Sequence, residues 1–190
     1  GTTAGSLEMK TASDSINLNA GQSFDVTFSV NAETSGFGGY LTYDNSVFTS
    51  VTVVVDGGTT SGKTDNNGEW KASYNGYTHF LSVDYYKKDA AGNTTAQIAD
   101  PVKVSGSSIA TLKFTSAKPV IKTDITFSPS YLRTNGSDVE LKTQKLTLTN
   151  SQAKTVTLSL GIVKGNGHIS VPVYFSRNDV VNKIKLGISD

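Results

Sequence analysis

The sequence predicts an all-β protein built as an antiparallel sandwich or barrel. Apolar and polar residues alternate in many short stretches, which is typical of strands with one buried face. No window longer than ten residues carries the apolar stripe of an amphipathic helix, and turn-forming Gly, Asn and Asp separate the stretches. The chain has 190 residues, which is enough to enclose a core of its own.

The individual strands are placed by their alternating apolar residues. In chain order these residues are Phe24, Val26, Phe28 and Val30; Val51, Val53 and Val55; Leu112 and Phe114; Ile125 and Phe127; and Leu141, Leu146 and Leu148 in a late strand. Pro129 is expected to end the strand of Ile125 and Phe127, because proline cannot donate a hydrogen bond to a neighbouring strand.

The dipeptide Asn75-Gly76 predicts a hairpin with a two-residue type I′ turn. Pairing outward from this turn sets Tyr74 opposite Tyr77 and Trp70 opposite Leu81. Cross-strand partners point to the same side, so one face carries Trp70, Ala72, Tyr74, Tyr77, His79, Leu81 and Val83. We expect this to be the core face. The other face carries Lys71, Ser73, Thr78, Ser82 and Asp84, with Phe80 as its apolar exception.

Charge and composition exclude several classes of protein. The chain has 17 basic and 16 acidic residues, and only Arg133 and Arg177 are arginines. Such a balance argues against a nucleic-acid surface, which needs a concentrated basic stripe. No run approaches the 18 or so apolar residues of a membrane span, so no membrane insertion is expected. The chain has no cysteine, which excludes disulfides and thiolate chemistry.

Catalytic patterns are missing from the sequence. The two histidines are His79 and His168, and no nucleophile elbow, zinc-protease helix or phosphate-binding loop occurs. The four glutamates, Glu8, Glu33, Glu69 and Glu140, lie in no recognisable catalytic context. We therefore expect a protein that is not an enzyme.

A weak calcium candidate lies before the hairpin. Asp65, Asn67 and Glu69 place oxygen donors on a glycine-containing turn, and calcium prefers such ligands. The ligand spacing of an EF-hand is missing, and an ordinary solvated turn explains the same residues. We expect the chain to hold no metal, with this turn as the alternative.

An internal repeat bears on the domain organisation. Residues 24–43 align with residues 169–188 at a constant offset of 145, without a gap. The alternative is that any two pairs of alternating strands align this well. The repeat predicts one module over residues 5–150, with residues 151–190 as the start of a second similar module or as extra strands packed on the first.

Three stretches resemble the strand motifs of cohesin modules, the jelly-roll sandwiches of bacterial scaffoldins. They are residues 18–26 (LNAGQSFDV), residues 38–48 (GGYLTYDNSVF) and residues 108–114 (SIATLKF), the last followed by Ile125–Phe127. The resemblance implies an antiparallel jelly-roll β-sandwich in an extracellular or cell-surface protein of a bacterium, such as a cellulosome scaffold. It also implies attachment of a dockerin, a small calcium-binding module, to one sheet face.

If the chain follows the cohesin pattern, the contact face includes outward residues of the third strand and of the hairpin. The candidates are Tyr40, Thr42, Asn45, Ser73, Phe80 and Ser82. Phe80 is the most informative of them, since it stands apolar on an otherwise polar face. Any calcium in such a complex would be expected on the dockerin or at the turn named above.

The sequence is also compatible with two other functions. A carbohydrate-binding module for cellulose, hemicellulose or starch would use flat aromatic platforms, for which the candidates are Trp70, Tyr74, Tyr77, Tyr85 and Tyr86. A structural spacer of a tandem-repeat surface protein would need no binding residues. The sequence does not separate exposed tyrosines that bind sugar from those that bind protein.

Overall fold

Short strands form nearly all of the regular structure in this computed structural model, which describes residues 5–56, 59–61, 68–105, 108–136, 139–160 and 181–188. The strands are β1 (Gly5–Lys10), β2 (Ser15–Ile16), β3 (Ser23–Val30), β4 (Thr34–Thr42), β5 (Phe48–Val55), β6 (Thr59–Ser61), β7 (Gly68–Asn75), β8 (Phe80–Lys88), β9 (Thr94–Ile98), β10 (Lys103–Ser105), β11 (Ala110–Ser116), β12 (Lys122–Thr134), β13 (Val139–Glu140), β14 (Gln144–Asn150), β15 (Lys154–Leu160) and β16 (Val181–Ile188). The prediction of an all-β chain is confirmed.

Two main sheets face each other as a sandwich. The five-stranded sheet has the order β13-β1-β3-β11-β5. The seven-stranded sheet has the order β2-β14-β12-β4-β8-β7, and β9 pairs with β8. Most pairs are antiparallel, whereas the short β2 and β13 pair in parallel with β14 and β1. This is the jelly-roll sandwich expected from the sequence.

The core fills the space between the two sheets with aromatic and branched side chains. Phe28 on β3 contacts Phe127 on β12 and Phe37 on β4, with ring centroids 5.0 and 5.7 Å apart. Phe24 and Phe114 stack at 5.4 Å on the five-stranded sheet. Burying each such ring contributes roughly 1.5–3 kcal/mol. Apolar contact across the sandwich therefore fixes which side of each sheet faces outward.

The hairpin differs from its predicted register. Asn75 pairs with Phe80 and Tyr74 with Leu81, so the loop has four residues, Gly76–His79. The Asn75 side chain accepts hydrogen bonds from the Tyr77 and Thr78 backbone N–H groups at 2.9 and 3.1 Å. His79 takes the positive φ of 60°. The type I′ turn is wrong because this asparagine caps a longer loop.

The change of register leaves the predicted faces of the two hairpin strands intact. The pairing shifts by an even number of residues, so each strand residue keeps its side of the sheet. Leu81 and Val83 are fully buried, and Trp70, Ala72 and Tyr74 pack half-buried against the core. The two-residue turn would place Tyr77 and His79 on the core face, but both belong to the loop.

Two further expectations are corrected. Pro129 does not end its strand, since β12 continues to Thr134. A bulge lies between Pro129 and Tyr131, and proline is tolerated at such irregular positions because its missing N–H donor interrupts no regular pairing there. Leu141 lies outside β14 and is exposed, so the late strand begins only at Gln144.

The C-terminal part is described over residues 151–160 and 181–188. Within this part, β15 and β16 form a parallel pair. In the second copy of the predicted repeat, the first alternating strand, Ile169–Phe175, lies outside the described residues, as does His168. For residues 151–190, the start of a second module and its alternative, extra strands packed on the first module, therefore both stay predictions.

Candidate functional site

The outward side of β12, β4, β8 and β7 forms a continuous surface, which we call the outer face. The backbone register sets its side chains in rows that run across the four strands. One row holds Ser128, Tyr40, Phe80 and Asn75; the next holds Tyr131, Gly38, Ser82 and Ser73; the third holds Arg133, Gly36, Asp84 and Lys71.

An aromatic pair stands in the first of these rows. Tyr40 and Phe80 are cross-strand partners whose rings meet edge to face, with centroids 4.9 Å apart. Tyr40 is 52% exposed and Phe80 is half-buried. The neighbours on either side are Ser128 and Asn75, both exposed polar residues. The outer face thus presents an apolar centre with a polar surround.

A hydrogen-bonded ionic cluster lies at one end of the outer face. The Tyr131 hydroxyl donates to both carboxylate oxygens of Asp84 at 3.0 Å, and Arg133 forms an ion pair with Asp84. The Arg133 guanidinium also lies over the Tyr131 ring, 4.2 Å from its centroid. Asp84 is buried although it belongs to the outer face. Its charge is therefore compensated within the face rather than by solvent.

The cluster changes the protonation behaviour of its members. Burial, together with the adjacent Asp84 carboxylate, raises the pKa of Tyr131 to about 12. Burial disfavours the charged form of Arg133, but the Asp84 carboxylate outweighs it and raises the pKa of Arg133 above its usual value. At neutral pH the Tyr131 phenol is therefore neutral and the Arg133 guanidinium is charged.

Two glycines make room for this cluster. A Cβ atom on Gly38 would lie 2.4 Å from the Tyr131 ring, and one on Gly36 would lie 2.3 Å from the Asp84 carboxylate. Gly36 also has a φ of +147°, which L side chains rarely adopt. The missing side chains allow Tyr131 and Asp84 to lie directly on the sheet. Sequence reasoning missed this cluster, although the run of glycines at 36, 38 and 39 signals close approach of a neighbour.

A cleft of about 510 Å³ borders the same end of the outer face. Residues 94–96 form one wall, and strands β7 and β8 form the floor. Its described lining is mostly hydroxyl-bearing or small and includes one charged residue: Lys71, Ala72, Ser73, Ser82, Tyr86, Thr94, Thr95 and Ala96. The Ser73 and Ser82 hydroxyls are hydrogen-bonded to each other at 2.9 Å.

The structure brings four of the six predicted partner-binding residues together. Tyr40, Phe80, Ser73 and Ser82 occupy adjacent rows of the outer face. Thr42 is exposed two residues beyond Tyr40 on the same strand, opposite Thr126. Asn45 lies apart, in the turn after β4, where it lines a separate cavity of about 280 Å³.

The five carbohydrate candidates do not form one platform. Tyr85 is buried, and Trp70 packs against it on the core side with ring centroids 5.1 Å apart. Tyr74 also lies on the core side, where its hydroxyl meets that of Tyr43 at 2.5 Å, whereas Tyr86 lies on the outer face. Tyr77 is 98% exposed at the hairpin loop.

The calcium candidate is described only at one residue. Asp65 and Asn67 lie outside the described residues, and the Glu69 carboxylate accepts a hydrogen bond from the Thr94 hydroxyl. Among the residues that the structure describes, no group of three or more histidine or acidic side chains is placed to hold a metal ion. The described part of the chain also contains no helix with the length and hydropathy needed to cross a bilayer.

Comparison with solved structures finds cohesin modules. A type II cohesin from the cellulosome of Acetivibrio cellulolyticus matches with 13% identity and a TM-score of 0.44, over 77% of this chain and 95% of that one. In fold, the chain is similar to cohesin modules. A cohesin module of a Clostridium perfringens family 33 glycoside hydrolase matches with 10% identity and a TM-score of 0.41, over 78% and 99% of the two chains.

A third similar structure is a type I cohesin–dockerin complex from Clostridium thermocellum. It matches with 12% identity and a TM-score of 0.45, over 77% of this chain and 99% of that one. No protein-family model matches this cohesin-like chain, and no curated protein does.

Proposed function

We propose that this chain is a non-catalytic attachment module whose outer face binds a dockerin-type protein module. The observation that carries the proposal is the Tyr40–Phe80 pair at the centre of that face. Exposed aromatic side chains surrounded by polar residues are typical of the energetic centre of a protein interface. The partner class comes from the sequence resemblance to cohesins described above.

The shape and polarity of the outer face support a protein partner over a polysaccharide. The face spans four strands and presents serine and threonine hydroxyls beside one apolar pair. A sugar-binding platform needs several aromatic rings exposed on one surface. The tyrosines and the tryptophan considered for that role are divided between the core side, the outer face and the hairpin loop.

The proposed module acts outside the cell, as part of a bacterial scaffold or cell-surface protein. In that setting it contributes binding alone, and chemistry is carried out by the proteins it attaches. A chain without cysteine needs no oxidative folding step there.

A binding panel tests the proposal. The purified chain is immobilised and exposed to the dockerin modules encoded in the same genome, and separately to insoluble cellulose, hemicellulose and starch. We expect retention of at least one dockerin module and of no polysaccharide. Retention of a polysaccharide with no dockerin bound would assign the chain to the carbohydrate-binding class, and retention of neither would favour a structural spacer.

A further inference from the structure

We propose that the cleft beside residues 94–96 receives a carboxylate side chain of the docked protein, with Lys71 as its counter-ion. This inference rests on the proposed function and deepens it, since it assigns a chemical character to one part of the partner's surface. The cleft lies on the outer face, and Ser82 in its lining is the next outward residue after Phe80 on β8.

Lys71 carries a charge that has no partner among the described residues. Lys71, Asp84 and Arg133 occupy one row of the outer face. Asp84 is paired with Arg133 and hydrogen-bonded to Tyr131. Glu69, two residues from Lys71, accepts a hydrogen bond from the Thr94 hydroxyl. Within the described part of the chain, Lys71 has no ion pair and no hydrogen bond of its side chain. Its ammonium group is therefore available to an incoming anion.

The lining of the cleft is suited to a carboxylate. Five residues around Lys71 carry hydroxyl groups, namely Ser73, Ser82, Tyr86, Thr94 and Thr95. The Thr94 and Thr95 hydroxyls already donate to Glu69 and to the Lys87 carbonyl, and Ser73 and Ser82 are hydrogen-bonded to each other. The donors left for a ligand are therefore the Tyr86 hydroxyl and one hydroxyl of the serine pair. Together with the Lys71 ammonium they are a suitable set of ligands for carboxylate oxygens. The remaining described lining residues are Ala72 and Ala96, whose small side chains do not fill the cleft. The cleft is therefore better suited to a short acidic group than to an apolar side chain.

Hydrogen bonds within the chain hold the wall of the cleft in place. Thr94 is tied to Glu69, and the Thr95 hydroxyl donates to the Lys87 carbonyl at 2.9 Å. The preceding turn is closed by Asp89, whose carboxylate accepts from the Ala91 and Asn93 backbone N–H groups at 3.0 and 2.8 Å. A wall fixed before binding reduces the entropy that a ligand must overcome.

The position of the cleft favours a protein carboxylate over an acidic polysaccharide. Two residues along a strand span about 7 Å, so Phe80 and Ser82 lie within reach of neighbouring side chains on one partner segment. A partner that packs an apolar residue on Tyr40 and Phe80 would bring an acidic residue to Lys71. An acidic sugar alone would leave the aromatic pair uncovered.

Charge reversal tests this inference with the full chain. A dockerin module retained by the wild-type chain is titrated against Lys71→Met, Lys71→Glu and the control Lys113→Glu, which alters an exposed lysine on β11 of the opposite sheet. We expect Kd to rise about five-fold for Lys71→Met and about ten-fold or more for Lys71→Glu, with Lys113→Glu within about two-fold of wild type. Replacing the contacting acidic residue of the dockerin by lysine should restore binding to Lys71→Glu.

The outcomes separate this inference from the proposed function. If the wild-type chain binds no dockerin module, both fail. If the wild-type chain binds but Lys71→Glu binds equally well, or if no acid-to-lysine change outside the dockerin's calcium loops rescues it, the carboxylate pocket alone is wrong. Binding of polygalacturonate that depends on Lys71, without any effect of Lys71 on dockerin binding, would also overturn it.

Discussion

Side chains of the hairpin differ in role according to the face on which they lie: those on one face pack in the core, and those on the other form the outer face. Trp70 and Tyr85 are cross-strand partners that pack together on the core side. Phe80 and Tyr40 form the corresponding pair on the outer face. Alternation along the two strands is enough to assign Trp70 and Phe80 to their correct sides. Alternation cannot reveal that Phe80 has an aromatic partner on another strand, because that contact depends on long-range register.

Trp70 should contribute to stability through packing and not through its indole N–H. The indole nitrogen is buried and has no hydrogen-bond partner among the described residues. We expect Trp70→Ala to lower the free energy of unfolding by about 2–3 kcal/mol, since the ring is only half-buried. The loss in free energy of unfolding for Trp70→Phe should be less than about half of the loss for Trp70→Ala, because the phenylalanine keeps a ring and removes an unsatisfied donor. Denaturant unfolding measures both, and equal losses for the two variants would contradict this account.

Tyr131 should make the protein less stable at high pH. Its pKa is raised to about 12 in the folded protein from about 10 in the unfolded chain. The stabilisation is therefore fully present below about pH 10 and is lost as the pH rises toward 12. We expect Tyr131→Phe to lose less unfolding free energy than wild type between about pH 10 and pH 12. Tyr77→Phe, at a 98% exposed position, is the control; identical pH dependence in the two variants would count against the Asp84 cluster.

At the scale of elements, the hairpin loop shows where local sequence rules are overridden. Asn75-Gly76 is a strong signal for a two-residue turn, yet the strands pair with a four-residue loop. In the observed register, Leu81 and Val83 lie fully buried in the core, and Tyr74 bonds to Tyr43. The Asn75 side chain accepts from the N–H groups of Tyr77 and Thr78, which both lie in the longer loop, so these caps and the core contacts favour the same register.

Substitutions in this loop distinguish the two turn types. Gly76 does not have a positive φ, and a Cβ there would meet no atom within 4 Å. Gly76→Ala should therefore be neutral or stabilising by up to about 1 kcal/mol. Asn75→Ala should cost about 1 kcal/mol, because it removes the acceptor of two backbone N–H groups. A loss of more than about 1 kcal/mol in Gly76→Ala would instead favour the type I′ turn.

At the scale of the whole molecule, the jelly-roll sandwich followed from periodicity and family resemblance, whereas the ionic cluster did not. Strands such as β3 and β11 show their buried face in the sequence because their apolar residues alternate. The cluster joins Asp84, Tyr131 and Arg133 across residues far apart in the chain, and a bulge after Pro129 sets the side to which the last two point. Bulges shift the alternation by one residue, so a regular pattern could not place these side chains.

The sandwich should fold without the C-terminal part of the chain. Asn150 ends β14 and ties three segments together, accepting from the Leu18 N–H and donating to the Asn19 side chain and the Val120 carbonyl. Among the described strands, β15 and β16 pair with each other and with no strand of the two main sheets. We expect a chain ending at Ala153 to unfold cooperatively, with a Tm within a few degrees of the full chain. Calorimetry checks this, and loss of the cooperative transition would assign the C-terminal strands to the sandwich.

The most direct test of the central claim is a calorimetric titration of a dockerin module into the wild-type chain and Phe80→Ala. The outer face predicts that Phe80→Ala raises Kd by about 30-fold or more, a loss of about 2 kcal/mol, while Tm stays close to that of wild type. Val54→Ala, which alters a 58% exposed apolar residue on the opposite sheet, should leave Kd within about two-fold. A folded Phe80→Ala variant that binds the dockerin as tightly as wild type would contradict the assignment of this face.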